Sequence, residues 1–127
     1  MREIIKTDRA PAAVGPYSQG CRAGDFIFVA GQGPLDPQTG KVRGDTIEEQ
    51  TRQTLENIKA ILEASGASMS DVVKVTVILT DLANFKRMNE VYRSFFSEPF
   101  PPRVTYGAAL ALPNMLVEID AVTYVGE

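Results

Sequence analysis

A chain of 127 residues with a formal net charge of −3 has room for one domain with a real core, and its charge balance argues against the basic face of a nucleic-acid binder. It has no histidine and a single cysteine, Cys21. Those two facts exclude His-activated nucleophiles, His-based metal sites and any internal disulfide.

In chain order, residues 2–6 read as a short edge strand. Ala10 to Gly20 is a loop punctuated by Pro11, Gly15, Pro16 and Gly20. Tyr17 sits on it just after a Gly-Pro pair. It either packs over a sheet edge or lines a pocket with its polar tip. Cys21 to Ala30 reads as a β-hairpin turning at Gly24-Asp25, with a buried second strand, Phe26-Ile-Phe-Val-Ala. Gly31-Gln-Gly-Pro follows. Two glycines here allow a plain turn or a close approach to backbone, but match neither a dinucleotide fingerprint nor a P-loop. Asp36-Pro-Gln-Thr-Gly-Lys is a surface loop.

Both Asp45…Glu48 and Thr46…Glu49 fit a capping box. Ile47, Leu55, Ile58, Ile61 and Leu62 then recur at helical spacing, and Gly66 stops the helix. Val72 to Thr80 is rich in β-branched residues, which predicts a strand with Val73, Val75, Val77 and Leu79 on one face. Asp81 caps a second helix over Leu82 to Phe96. Asn89 falls in or beside its apolar stripe, where its amide needs a partner, either backbone or a pocket. Glu98-Pro-Phe-Pro-Pro breaks that helix.

The last third reads as two strands with a turn between them. One runs from Phe100 through Arg103 to Gly107, the other from Leu112 to Val122. Each carries one charged side chain at its head, Arg103 and Glu118. A guanidinium offers a fixed fork of donors suited to a carboxylate. A carboxylate in an apolar strand can hold or activate water. Together they form the core of a small-anion site at the edge of a sheet; the plain alternative is a salt bridge that only ties the sheet. The order β, β-hairpin, α, β, α, β, β predicts an α+β protein with an open sheet of five or six strands and two helices on one face. The other face then needs covering, and oligomerisation is the economical solution. No linker divides residues 1–127, so one domain is expected. No apolar run reaches the roughly 20 residues that span a bilayer, and the N-terminus lacks a secretory apolar core, so a cytoplasmic protein without membrane contact is expected. No Asp-rich loop suggests a metal.

Several stretches resemble the RidA family nearly end to end and in register. They are Ala10-Pro-Ala-Ala-Val-Gly-Pro-Tyr-Ser-Gln-Gly, Ala30-Gly31-Gln32, Asp36-Pro-Gln-Thr-Gly, Gln53 through Gly66, Val73-Lys-Val-Thr-Val, Pro102-Arg103 and Val117-Glu-Ile-Asp-Ala. The resemblance implies a chorismate-mutase-like fold, with one mixed sheet of about six strands and two helices on one face. It implies a homotrimer with sites in clefts between subunits, and no cofactor. It implies hydrolysis of reactive 2-enamine and 2-imine intermediates, such as 2-aminoacrylate, to 2-keto acids and ammonia. On this chain the family's carboxylate-binding arginine is Arg103, its water-positioning glutamate Glu118, its pocket tyrosine Tyr17 and its pocket asparagine Asn89. Backbone at Gly31 and near Thr105 would contact the ligand. Ala30 stands where many members have serine, which removes one hydroxyl contact. The run from Arg103 to Pro113 is one residue longer than usual and that from Pro113 to Glu118 one shorter, so the turn is shifted.

Two rival functions accompany the deaminase. A non-catalytic trimer could use the same cleft to bind a keto acid or a partner. A ribonuclease would want a basic groove and a strong acid/base pair, which an acidic chain without histidine does not offer, so nucleic acid is the weaker expectation.

Overall fold

The computed structural model describes residues 2–126. Six strands form one sheet: β1 (Arg2–Ile5), β2 (Gly20–Ala23), β3 (Phe26–Gln32), β4 (Val72–Leu79), β5 (Arg103–Gly107) and β6 (Val117–Tyr124). Their spatial order is β1-β2-β3-β6-β4-β5. Only β4 and β5 run parallel; the other neighbours are antiparallel. Two helices, α1 (Ile47–Ala64) and α2 (Phe85–Arg93), cover one face and pack against each other. This is the sheet with two helices on one face that the order of elements predicts, and the chorismate-mutase-like arrangement that the family resemblance implies.

Helix α1 starts where the sequence places it, and geometry selects between the two capping boxes. Thr46 is extended, its hydroxyl accepts from the Glu49 N–H, and Glu49 reaches back to the Thr46 backbone. Glu48 and Glu49 also set negative charge at the positive end of the helix dipole. At the far end Gly66 adopts a left-handed φ of 84°. Its N–H donates to the Glu63 carbonyl and that of Ala67 to the Leu62 carbonyl, a Schellman ending that closes two orphan acceptors. Between the caps Leu55, Ile58, Ile61 and Leu62 are fully buried against Ile27, Val75, Val77 and Ile119 of the sheet core.

Four expectations need correction. The second hairpin strand is buried on one face only, through Ile27 and Val29, while Phe26 and Phe28 are exposed on the other. Val73 does not face the core. A bulge between Val72 and Lys74 shifts the alternation, so Val72 is buried and Val73 is 40% exposed. Only from Val75 onward does the predicted face hold. The second helix is shorter than Leu82 to Phe96. Asp81 caps a 3₁₀ turn at Leu82–Asn84, the α-helix runs only from Phe85 to Arg93, and Leu82 and Phe85 are exposed. The last strand starts at Val117, not Leu112, because residues 111–114 form a turn in which Asn114 takes a φ of 71°.

The face away from the helices carries Phe26, Phe28, Val104, Tyr106 and Tyr124, all exposed. Phe26 stacks with Tyr124 at 5.1 Å between ring centroids. So much aromatic surface on one side of a sheet is what the element order anticipates for a face that needs a cover.

Candidate active site

The two charged residues that head the last strands do not meet within one chain. Arg103 pairs with Val75, and Glu118 pairs with Ile78. Cross-strand partners share a face of the sheet. Val75 is buried beneath the helices, whereas Ile78 belongs to the uncovered face. Arg103 and Glu118 therefore leave the sheet on opposite sides, with β4 between their strands. No ion pair joins them among the described residues. The salt-bridge alternative falls, and so does the picture of both groups at one edge: β5 is an edge strand, but β6 lies inside the sheet between β3 and β4.

Glu118 anchors the first half-site. Close by, opposite Asp120, the β3–β6 register shifts between Val29 and Gln32, leaving Ala30 and Gly31 as a bulge. The Glu118 carboxylate lies against this bulge so closely that a Cβ on Gly31 would stand 2.6 Å from Oε2. Only glycine leaves that room. Burial pushes the Glu118 carboxyl above the usual carboxylate range, and the Asp120 charge two residues along adds to it. Beside the bulge, Tyr17, Phe28 and Ala30 line a depression of about 400 Å³. Tyr17 is half exposed there, with its N–H donating to the Gly15 carbonyl at 2.8 Å.

Buried amides hold this half-site in place. Gln19 is 4% exposed. Its Oε1 accepts from the Thr7 N–H at 2.8 Å, and its Nε2 donates to the Thr7, Ala10 and Pro11 carbonyls. Its own carbonyl accepts from the Ala30 N–H at 2.9 Å, which ties the Tyr17 loop to the bulge. Gln50 on α1 grips the turn before β6: its Nε2 donates to the Asn114 carbonyl, and its Oε1 accepts from the Leu116 N–H at 2.7 Å. Asn57 does the same for the segment after β3, donating to the Gly33 and Leu35 carbonyls. Each amide satisfies backbone groups that a loop would otherwise bury unpaired.

Arg103 anchors the second half-site, on the helix side. Its guanidinium lies over the Tyr92 ring at 4.6 Å and near the Phe85 ring at 5.6 Å from the centroids. These aromatic faces hold the cation without neutralising it. It opens onto a depression of about 380 Å³ lined by Asn89, Tyr92, Arg93, Phe100, Pro101 and Arg103. The Asn89 Oδ1 and the Tyr92 hydroxyl are buried without a hydrogen-bond partner. Burial pushes the Tyr92 phenol up, and the nearby Arg103 pulls it part of the way back. Thr105 lies on the same face of β5, its hydroxyl also buried and unpartnered, but it does not line the depression. Unsatisfied buried polar atoms beside a free guanidinium are the arrangement that a small polar ligand would complete.

Of the residues the sequence pointed to, Tyr17 and Ala30 line one depression, Gly31 and Glu118 lie against each other beside it without lining it, and Arg103 and Asn89 share the depression on the helix side. Nothing in the sequence assigned a role to Phe85, Tyr92 or Arg93. Phe85 and Tyr92 fall in the apolar stripe of the second helix, which by itself marks core. The available signal was spacing: Phe85, Asn89 and Tyr92 stand four and three residues apart, on one helix face. No group of three or more acidic or cysteine side chains that could hold a metal occurs among the described residues. No helix is long and apolar enough to cross a membrane.

Comparison with known proteins gives the class. A family model described as Endoribonuclease L-PSP matches residues 7–125. A RutC family protein of Pyrococcus horikoshii is 52% identical over 98% of both chains. A crystal structure of a candidate endoribonuclease from Thermotoga maritima matches all of both chains with a TM-score of 0.95 and 46% identity. TdcF of Escherichia coli, named as a candidate reactive intermediate deaminase, is 44% identical over 96% of both chains. Its crystal structure with bound serine aligns with a TM-score of 0.89 over 96% of this chain and 98% of that one. The chain belongs to the RidA family. That family includes proteins named as reactive intermediate deaminases and others named as endoribonucleases.

Proposed function

We propose that this protein hydrolyses 2-enamine and 2-imine derivatives of amino acids, such as 2-aminoacrylate and 2-iminopropanoate, to 2-keto acids and ammonia. The observation that carries this reading is the uncommitted Arg103 guanidinium, poised on Tyr92 and Phe85 beside the unpartnered Asn89 amide oxygen. It suits a ligand with a carboxylate at one end and an N–H donor at the other. The serine bound by TdcF is such a ligand.

Because Arg103 and Glu118 leave opposite faces, the working site needs two chains. The Arg103 half, at the sheet edge of one subunit, meets the Tyr17–Gly31–Glu118 half on the uncovered face of another, in the homotrimer implied by family resemblance. Arg103 binds the carboxylate as a fork and fixes the imine carbon. The raised Glu118 carboxyl, when ionised, accepts a proton from water as the water oxygen bonds to that carbon. The C=N electron pair moves to nitrogen and gives a carbinolamine. Starting from the N-protonated imine the carbinolamine is neutral; Glu118 returns the proton to its nitrogen, and as the C–N bond breaks and C=O forms the hydroxyl proton passes to Glu118 and ammonia leaves. No covalent nucleophile is needed, in keeping with a chain that has no histidine.

The test is imine decay. A serine dehydratase generates 2-aminoacrylate, and its disappearance is followed with wild type, Arg103→Ala and Glu118→Gln. Wild type accelerates decay; Arg103→Ala loses at least about 100-fold in kcat/KM, the scale of lost substrate positioning. A wild type that leaves the decay rate unchanged refutes the deaminase and directs attention to keto-acid binding without turnover. The family description also supports a ribonuclease reading. Salt-sensitive RNA cleavage that survives Arg103→Ala would favour it.

A further inference from the structure

The Arg103 depression contains a second cation that the reaction above does not use. Arg93, at the last turn of α2, lines the same cavity. Its guanidinium lies 5.9 Å from the centroid of Phe100, which also lines the cavity. Neither Arg93 nor Arg103 forms an ion pair among the described residues, although Arg9, Arg22, Arg43 and Arg87 all do. No acidic side chain lines the cavity. Two guanidiniums without an ion pair, each near an aromatic ring, thus line one space, and the unpartnered Tyr92 hydroxyl and Asn89 amide oxygen are buried in residues of its wall.

One carboxylate satisfies one fork. A 2-imino monocarboxylate held by Arg103 leaves Arg93 with nothing to bind. We propose that Arg93 is a specificity-determining residue that selects imino acids with a second anionic group on the side chain, of the 2-iminodicarboxylate class. The first carboxylate takes Arg103, the side-chain carboxylate takes Arg93, and the imine carbon lies between them. This rests on the deaminase reading for its chemistry, but its electrostatics can be tested by binding alone. An exposed contact of this kind has a modest effect, about five- to tenfold between a dianion and a monoanion. Arg93 also places positive charge at a helix C-terminus. That role would act on stability and would not distinguish between ligands.

The experiment compares two ligands and three proteins. Calorimetry measures pyruvate and 2-oxoglutarate binding to wild type, Arg93→Gln and Arg93→Lys. In parallel, an amino-acid oxidase generates 2-iminopropanoate from alanine and 2-iminoglutarate from glutamate for the decay assay. Wild type is expected to prefer the dianion of each pair about five- to tenfold, in Kd and in KM rather than kcat. Arg93→Gln removes that preference, leaves the monoanion within about twofold, and Arg93→Lys restores part of it. Equal affinity of wild type for the two keto acids overturns the proposal. So does an Arg93→Gln effect that is the same for both ligands, which would mark a structural role. If wild type binds 2-oxoglutarate preferentially but hydrolyses neither imine, the deaminase reading fails and the dianion site stands. If it hydrolyses 2-iminopropanoate without preference for the dianion, the reverse holds.

Discussion

The two half-sites differ in how their charges are held. Glu118 lies on an interior strand, on the uncovered face, pressed against a glycine bulge that only backbone can line. Arg103 lies on an edge strand, on the helix side, over two aromatic rings. The carboxylate is placed by the absence of a side chain, the guanidinium by the presence of two. Burial raises the proton affinity of the first, whereas the rings hold the second in place without an acidic partner among the described residues. The roles proposed for them, a base and an anion clamp, suit those different environments.

The sharpest way to break this comparison is to separate the halves genetically. Arg103→Ala and Glu118→Ala are each expected to be inactive. Mixed by co-refolding, they should regain about a quarter of wild-type activity, because a site between two subunits draws its good Arg103 half from one variant with probability one half and its good Glu118 half from the other likewise. Mixtures that stay as inactive as the parents would place both groups in one chain's site. Gly31→Val comes next in size. Its side chain must displace the Glu118 carboxylate, so kcat should fall by more than about tenfold while keto-acid affinity, set by the Arg103 half, changes little. A large loss of affinity with unchanged kcat would contradict the division of labour.

Asp120→Asn is the mildest. Glu118 must be ionised to accept a proton, so activity falls as pH drops through its raised pKa. Burial is the larger cause of that rise and remains; removing the Asp120 charge lowers the pKa and moves the acid limb of kcat/KM to lower pH. The linkage to stability has a definite sign. A folded-state carboxyl pKa above its unfolded value means the folded chain holds the extra proton between the two, so stability falls as pH rises through that window. Asp120→Asn should flatten this fall in pH-dependent thermal melts. An acid limb that stays in place would show that Asp120 does not act on Glu118.

Local rules made α1 legible almost to the residue, since a capping box, an apolar stripe and a terminal glycine all lie within one stretch. They misjudged Val73 because the Val72–Lys74 bulge depends on the partner strand. They overran α2 because the apolar residues from Leu82 to Phe96 keep helical spacing while the chain tightens into 3₁₀ at one end and turns at the other. Tyr17, Asn89, Arg103 and Glu118 were found as types of residue in suggestive settings, but the setting of each was incomplete.

What the sequence by itself determined was the class of fold, the bounds of α1 set by its caps, and the chemical inventory: an arginine and a glutamate at the heads of the last strands, in a chain without histidine. Those follow from periodicity and composition, which are properties of neighbours along the chain. The tertiary structure decided which of these groups share a space. Strand order puts β4 between β5 and β6, and register parity then sends Arg103 and Glu118 to opposite faces. Pairing between distant strands fixes parity, and no local pattern encodes it.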